Sequence, residues 1–217
     1  MPPEDRDGGS VQYMRKIATA LVVAALVLGG GTAARAEDDA PTSDDTALQE
    51  YLDSLSPQER AEFVETQLPA TTDVVVGGQQ PADITAVRSL LAARASGLSV
   101  TPSATGCWSQ RWTWAPRAAA GNTLYTYYHV GHWCASGSSV TSARIADSGG
   151  ETSTPGWSYE GVTGSGKGVV SNEGRSYTRH KFVLKVGGIT LQSPTPCARV
   201  KGRASGTSSA DSVCGIS

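Results

Sequence analysis

All four cysteines of the chain, Cys107, Cys134, Cys197 and Cys214, fall at or beyond residue 107. An even set of cysteines restricts a chain to folds that bring them together in pairs, provided that it reaches an oxidising compartment. The N-terminal region supplies that condition. Arg15 and Lys16 precede an uncharged apolar run over 17–28, small residues follow, and the segment ends in Ala34-Arg35-Ala36. A basic head, a short apolar middle and an A-x-A end make up a cleavable secretory signal. An uncut anchor needs roughly 20 mostly apolar residues, and this run turns glycine-rich first. Residues 1–36 are therefore read as a signal peptide and the mature chain as starting at Glu37.

Glu4, Asp5 and Asp7 are out of place ahead of a bacterial export signal, whereas Met14 stands directly before the basic pair. Met14 is the expected start, with residues 1–13 an untranslated extension. No cysteine lies beside the cleavage site to take a lipid, and no arginine pair marks the twin-arginine route. The exported chain is expected to be secreted and extracellular, with no stable membrane span after cleavage.

Four cysteines allow three pairings. Cys107–Cys134 with Cys197–Cys214 closes the two shortest loops and is favoured, each bridge contributing roughly 3 kcal/mol through the unfolded chain. The rival, a metal site, lacks a CxxC pair or a Cys/His group at zinc spacing. No metal and no cofactor is predicted.

Charge divides the chain. Residues 37–100 carry twelve carboxylates against Arg60, Arg88 and Arg94, a net charge of −9. Residues 101–217 carry eleven bases against five acids, a net charge of +6. All five tryptophans lie between Trp108 and Trp157. In the acidic part, residues 37–45 are too polar to fold alone. Leu48, Tyr51, Leu52 and Leu55 then recur at helical spacing. Ser56-Pro57-Gln58-Glu59 reads as a capping box with proline in the first turn, opening a helix that buries Phe63, Val64 and Leu68 and stops before Pro69. A further helix is predicted over 82–95, with Ile84, Val87, Leu90 and Leu91 on one face and Gly97 at its end. Residues 98–105 read as a linker.

The basic part alternates short runs of Val, Thr, Tyr and Trp with Gly and Pro, the pattern of an all-β domain. Strands are predicted over 108–114, 123–134, 139–146, 157–162, 176–186, 189–193 and 197–203, with hairpin turns at Ser136-Gly137 and Gly187-Gly188. The predicted fold is mainly β, a disulfide-bearing β-sandwich or small barrel preceded by an acidic α-helical segment. Over 125–145 the chain resembles the Trp-Cys hairpin of small secreted bacterial β-proteins, a likeness that implies no activity.

Two surfaces are candidates for binding. Alternation along the strand at 124–134 puts Leu124, Thr126, Tyr128, Val130, His132 and Cys134 on one face and Tyr125, Tyr127, His129, Gly131 and Trp133 on the other. If Cys134 marks the core, then Tyr125, Tyr127, His129 and Trp133 form an outward row able to stack on a glycan. The plainer reading is a strand covered on both faces. The second surface is cationic. Arg175, Arg179, Lys181 and Lys185 share one face of the strand at 176–186, opposite His180, Phe182, Leu184 and Val186. Arg199, Lys201 and Arg203 share parity nearby. Together they would attract an anionic polymer; the plainer reading is a solvated outer face whose charges deter aggregation.

Catalytic motifs are absent. His129 and His132 are three apart, so on a regular strand they face opposite ways. His180 sits on the expected core face, and no GxSxG elbow, P-loop or dinucleotide fingerprint occurs. Glu160, His180 and an arginine would suit RNA cleavage in principle, but no spacing argues for them. The chain is expected to be a non-enzymatic β-domain that binds cell-surface or environmental polymers. The alternative is a secreted enzyme or toxin, such as a nuclease-like hydrolase, masked by its acidic segment. In a third arrangement, compatible with the first, the acidic helices belong permanently to the fold.

Overall fold

A computed structural model describes residues 43–81 and 105–217. The signal segment, the helix predicted over 82–95 and nearly all of the predicted linker lie outside the described residues.

The described chain opens with two helices, α1 (Ser43–Ser54) and α2 (Pro57–Gln67). Ser56 caps α2. Its hydroxyl accepts from the Glu59 amide, and Glu59 Oε2 accepts from the Ser56 amide at 3.0 Å, with Pro57 in the first turn. Phe63 and Leu68 are half-buried and pack against the core, but Val64 is exposed. Ten strands follow: β1 (Pro69–Val76), β2 (Gln80–Pro81), β3 (Gly106–Ala118), β4 (Tyr125–Ser136), β5 (Ser139–Thr152), β6 (Trp157–Val170), β7 (Glu173–Val186), β8 (Ile189–Gln192), β9 (Cys197–Gly202) and β10 (Ser208–Asp211). The described residues all fall within one compact unit.

All pairings are antiparallel. One sheet has the order β1-β3-β4-β5, with β2 also on β3; the other has the order β10-β9-β7-β6, with β8 also on β7. β5 and β6 are edge strands of different sheets and share no ladder among the described residues, so the sheets form a sandwich rather than a closed barrel. Prolines explain why one long edge is broken into β8 and β9. Pro194 and Pro196 have no N–H to give, yet their carbonyls accept from Phe182 and His180 and continue the line.

The seven predicted strands are present, and β1, β2 and β10 are additional. β1 falls in the acidic segment, so that segment is not all helical. Residues 71–76 pair with Arg117 to Trp112. The predicted boundary near residue 100 therefore does not divide the packing. The sandwich also caps α2. The last carbonyls of a helix lack partners within it; here Glu65 O accepts from the Ala120 amide at 2.8 Å, Thr66 O from Asn122 Nδ2 at 3.0 Å and Gln67 O from Trp157 Nε1 at 3.2 Å.

Two-residue turns close three hairpins. Gly187 and Gly188 both have positive φ, as the twist of a tight hairpin requires. The β4–β5 turn is centred on Gly137 and Ser138, one residue later than predicted. At the β6–β7 turn Ser171 and Asn172 take φ values of 51° and 60°.

The core lies between the sheets, where Trp114, Leu124, Tyr125, Tyr127, Trp157, Phe182, Leu184 and Leu191 pack together. Tyr125 stacks on Phe182 at 4.0 Å between ring centroids, and Trp114 on Tyr127 at 5.5 Å.

Candidate functional site

Both disulfides are those that the short loops favoured, Cys107–Cys134 and Cys197–Cys214. The inference drawn from Cys134 about the core is corrected. Cys107 and Cys134 are opposite residues of neighbouring strands in one sheet. Such a bridge can lie on either face of its sheet and does not mark the interior; here it lies on the outer face. Tyr125, Tyr127 and Trp133 are at most 3% exposed and His129 is fully enclosed. Their rings meet protein rings and backbone, so the outward glycan-stacking row does not exist in this fold. The β4 tyrosine that does face outward is Tyr128, with Arg111 over its ring at 3.5 Å and its hydroxyl donating to Asp147 at 3.1 Å.

Inside the sandwich runs a chain of polar groups. Ser176 Oγ lies 2.8 Å from His129 Nε2, His129 Nδ1 lies 3.0 Å from Thr178 Oγ1, Thr178 Oγ1 lies 2.9 Å from His180 Nε2, and His180 Nδ1 lies 2.9 Å from Tyr159 Oη. A neutral imidazole donates from one nitrogen and accepts at the other, so the five groups satisfy one another in a single direction. Burial pushes both histidines down to about 4, and for His129 the second imidazole adds to the effect. Among the described residues no carboxylate is hydrogen-bonded to either ring. Burial likewise pushes the Tyr125 hydroxyl up to about 12. Burial thus keeps both imidazoles neutral, and the hydrogen bonds tie β4 to β7 and β7 to the partly exposed Tyr159 of β6.

The cationic candidates divide into two groups. β7 alternates as expected, with Ser176, Thr178, His180, Phe182 and Leu184 inward and Arg175, Arg179, Lys181 and Lys185 outward. Arg175 and Arg203 both pair with Glu173. Arg199 makes a two-pronged contact with Asp211, at 2.7 and 2.8 Å, and Lys201 joins it at 2.8 Å. Burial opposes ionisation of Asp211, but the hydrogen bonds from Arg199 and Lys201 prevail and hold its carboxyl well below the usual range. Glu173 is lowered in the same way: burial works against it, and Arg175 and Arg203 outweigh burial. Arg175 and Arg199 also donate to the backbone oxygens of Ile216, Gly215 and Ser217, fixing the last residues across this face.

Arg179, Lys181 and Lys185 form no ion pair among the described residues. Arg179 and Lys185 are exposed and Lys181 half-exposed. The β6 neighbours of Lys181 and Arg179 are Gly161 and Gly164, each preceded by the extra residue of a bulge, Glu160 and Thr163. The helices pack against β8 and β3, and the carboxylates that meet cationic candidates, Glu173 and Asp211, belong to the β-domain itself.

One further cluster was not foreseen. His132 Nε2 lies 3.5 Å from Cys134 Sγ, and His132 Nδ1 lies 3.0 Å from Ser109 Oγ. Cys107, His132 and Cys134 hold their donor atoms within 4.8 Å of one another, but both sulfurs are committed to the disulfide. Burial, and after it the charge of Arg144, lowers the His132 pKa. Strand parity places His132 beside Cys134; Ser109 and Cys107 come from β3, and only the ladder register brings them there. No protein-family model, curated protein or solved structure matches this chain.

Proposed function

We propose that the chain is a secreted, non-enzymatic binding module that takes an anionic polymer along the outer face of β7. The observation that carries this reading is the row of Arg179, Lys181 and Lys185, turned to one side of a rigid strand and free of carboxylate partners among the described residues. Same-face residues of a strand recur about every 6.6 Å, which suits a chain with evenly repeated charge. Arg175, Arg199, Lys201 and Arg203 hold acidic partners already and serve as the frame of the row.

Two disulfides accord with export into an oxidising compartment. No helix among the described residues is long and apolar enough to cross a membrane. The masked-hydrolase alternative has less behind it, because His129 and His180 are enclosed in the core.

Retention of the full-length protein on immobilised polymers at low salt tests the proposal. Binding is expected on single-stranded DNA and on a phosphate-linked polymer, with none on neutral chitin. Retention on chitin alone, or on nothing, would overturn it.

A further inference from the structure

Cys107 and Cys134 stand opposite each other on β3 and β4, with Cα atoms 4.0 Å apart. His132 and Ser109 form the next outward-facing rung, and the imidazole reaches back to Cys134 Sγ. Across β4, Ser142 is the β5 partner of Cys134, and Arg144 is that of His132. The rungs around the bridge thus hold an imidazole, a guanidinium and two hydroxyls, and no carboxylate. Both sulfur-bearing residues are half-exposed.

We propose that the Cys107–Cys134 disulfide is a thiol–disulfide exchange site for external thiols, with Cys134 as the leaving sulfur. A thiolate of an external dithiol attacks Cys107 Sγ. A new S–S bond forms there, the Cys107–Cys134 bond breaks, and its electron pair leaves on Cys134 Sγ. The Ser109 hydroxyl donates to His132 Nδ1, which leaves the imidazole proton on Nε2, directed at that sulfur. A thiolate that receives such a donor beside a guanidinium is stabilised, and a more stable leaving thiolate departs faster. The second thiol of the dithiol loses its proton to water and attacks the mixed disulfide, releasing Cys107 as a thiolate that takes up a proton. The dithiol is oxidised to a cyclic disulfide, and the protein gains two electrons and two protons, held as two thiols once Cys134 is also protonated.

The ladder gives this bridge a second property. After reduction, β3 and β4 still hold the two thiols side by side, so an external disulfide can close the bridge again. Cys197–Cys214 differs. Cys214 lies beyond β10, outside any ladder, and no histidine contacts either sulfur among the described residues. Cys214 is itself exposed, so accessibility alone does not separate the two bridges; the imidazole does.

The test uses the full-length protein. In Cys107→Ser, Cys134 is a free thiol whose pKa is read from the pH dependence of iodoacetamide alkylation. The expected value is below about 7.5, returning towards about 8.5 when His132→Leu is added. Ser109→Ala, which keeps the imidazole but frees its tautomer, moves it part of the way. With all cysteines present, His132→Leu slows reduction of Cys107–Cys134 by dithiothreitol about tenfold and leaves the rate at Cys197–Cys214 unchanged. An ordinary Cys134 pKa would overturn the proposal, as would a Cys107–Cys134 reduction rate that neither variant alters. Should His132→Leu disturb the fold, seen as a changed rate at Cys197–Cys214, the Ser109→Ala pair of measurements decides.

Discussion

His129 and His180 show how single residues set the conditions under which the sandwich holds together. Each is neutral in the fold down to about pH 4, whereas in the unfolded chain each takes up a proton near 6.5. Between these values the unfolded state binds more protons, so stability falls as pH drops from 6.5 towards 4, by on the order of 3 kcal/mol for each ring. Chemical denaturation at pH 7.5 and at pH 4.5 is expected to show this loss, and equal stabilities would contradict it. Gly202 is a second residue with a physical requirement. A Cβ there would collide with the Trp133 ring, and Trp133 is held by the 3.0 Å bond from its Nε1 to Arg203 O. Gly202→Ala is expected to cost about 3 kcal/mol by overpacking, read from the urea midpoint; a shift under about 0.5 kcal/mol would show that the indole moves aside. The sequence reading correctly placed His180, Phe182 and Leu184 inside, because they alternate with charged residues. The outward placement of Tyr125, Tyr127, His129 and Trp133 held only if Cys134 marked the core, and that condition fails; the alternating residues of β4 are aromatic or polar on both faces. Only the bridge suggested a direction, and a bridge within one sheet indicates none.

Among the elements, the hairpins show where local sequence suffices and where it does not. Gly187-Gly188 was legible because two glycines between strands have few other uses. Ser171-Asn172 was not, since its positive φ values are stabilised from outside. Asn172 Oδ1 accepts from the Val140 amide and Asn172 Nδ2 donates to Ser138 O, both at 2.8 Å. One side chain thereby ties the β6–β7 turn to the β4–β5 turn across the two sheets. Asn172→Ala is expected to cost about 2 kcal/mol, from two lost hydrogen bonds and a strained φ. Asn172→Gly relieves the strain and should cost less. Equal midpoints for both variants would argue that the clamp alone matters. α2 shows the same division. Its start is written locally in Ser56, Pro57 and Glu59, whereas its end depends on donors from Ala120, Asn122 and Trp157, far along the chain. β1 escaped notice for a related reason: all eight of its residues are exposed, so they carry no inside–outside pattern.

At the scale of the whole molecule, the opposite charges of the two halves suggested a mask and its target. Among the described residues, the acidic part supplies a docked helix pair and an edge strand. A chain starting at residue 101 loses β1 and bares β3 as an open edge. It is expected to melt at least several degrees below a chain starting at Glu37, and an unchanged melting temperature would restore the view of a removable segment. The cationic strand was legible in sequence, because its charges alternate with core residues. Its division into paired and unpaired cations was not, because Glu173 and Asp211 reach their partners through the register of β7, β9 and β10. That division locates the account's central claim on Arg179, Lys181 and Lys185, and the salt dependence of polyanion binding tests it most directly. For an oligothymidylate strand, three contacts predict a slope of about −2 in the logarithm of affinity against the logarithm of salt concentration. Replacing all three residues by alanine should bring that slope close to zero while the thermal midpoint stays put. A slope that the triple substitution leaves unchanged would contradict the claim.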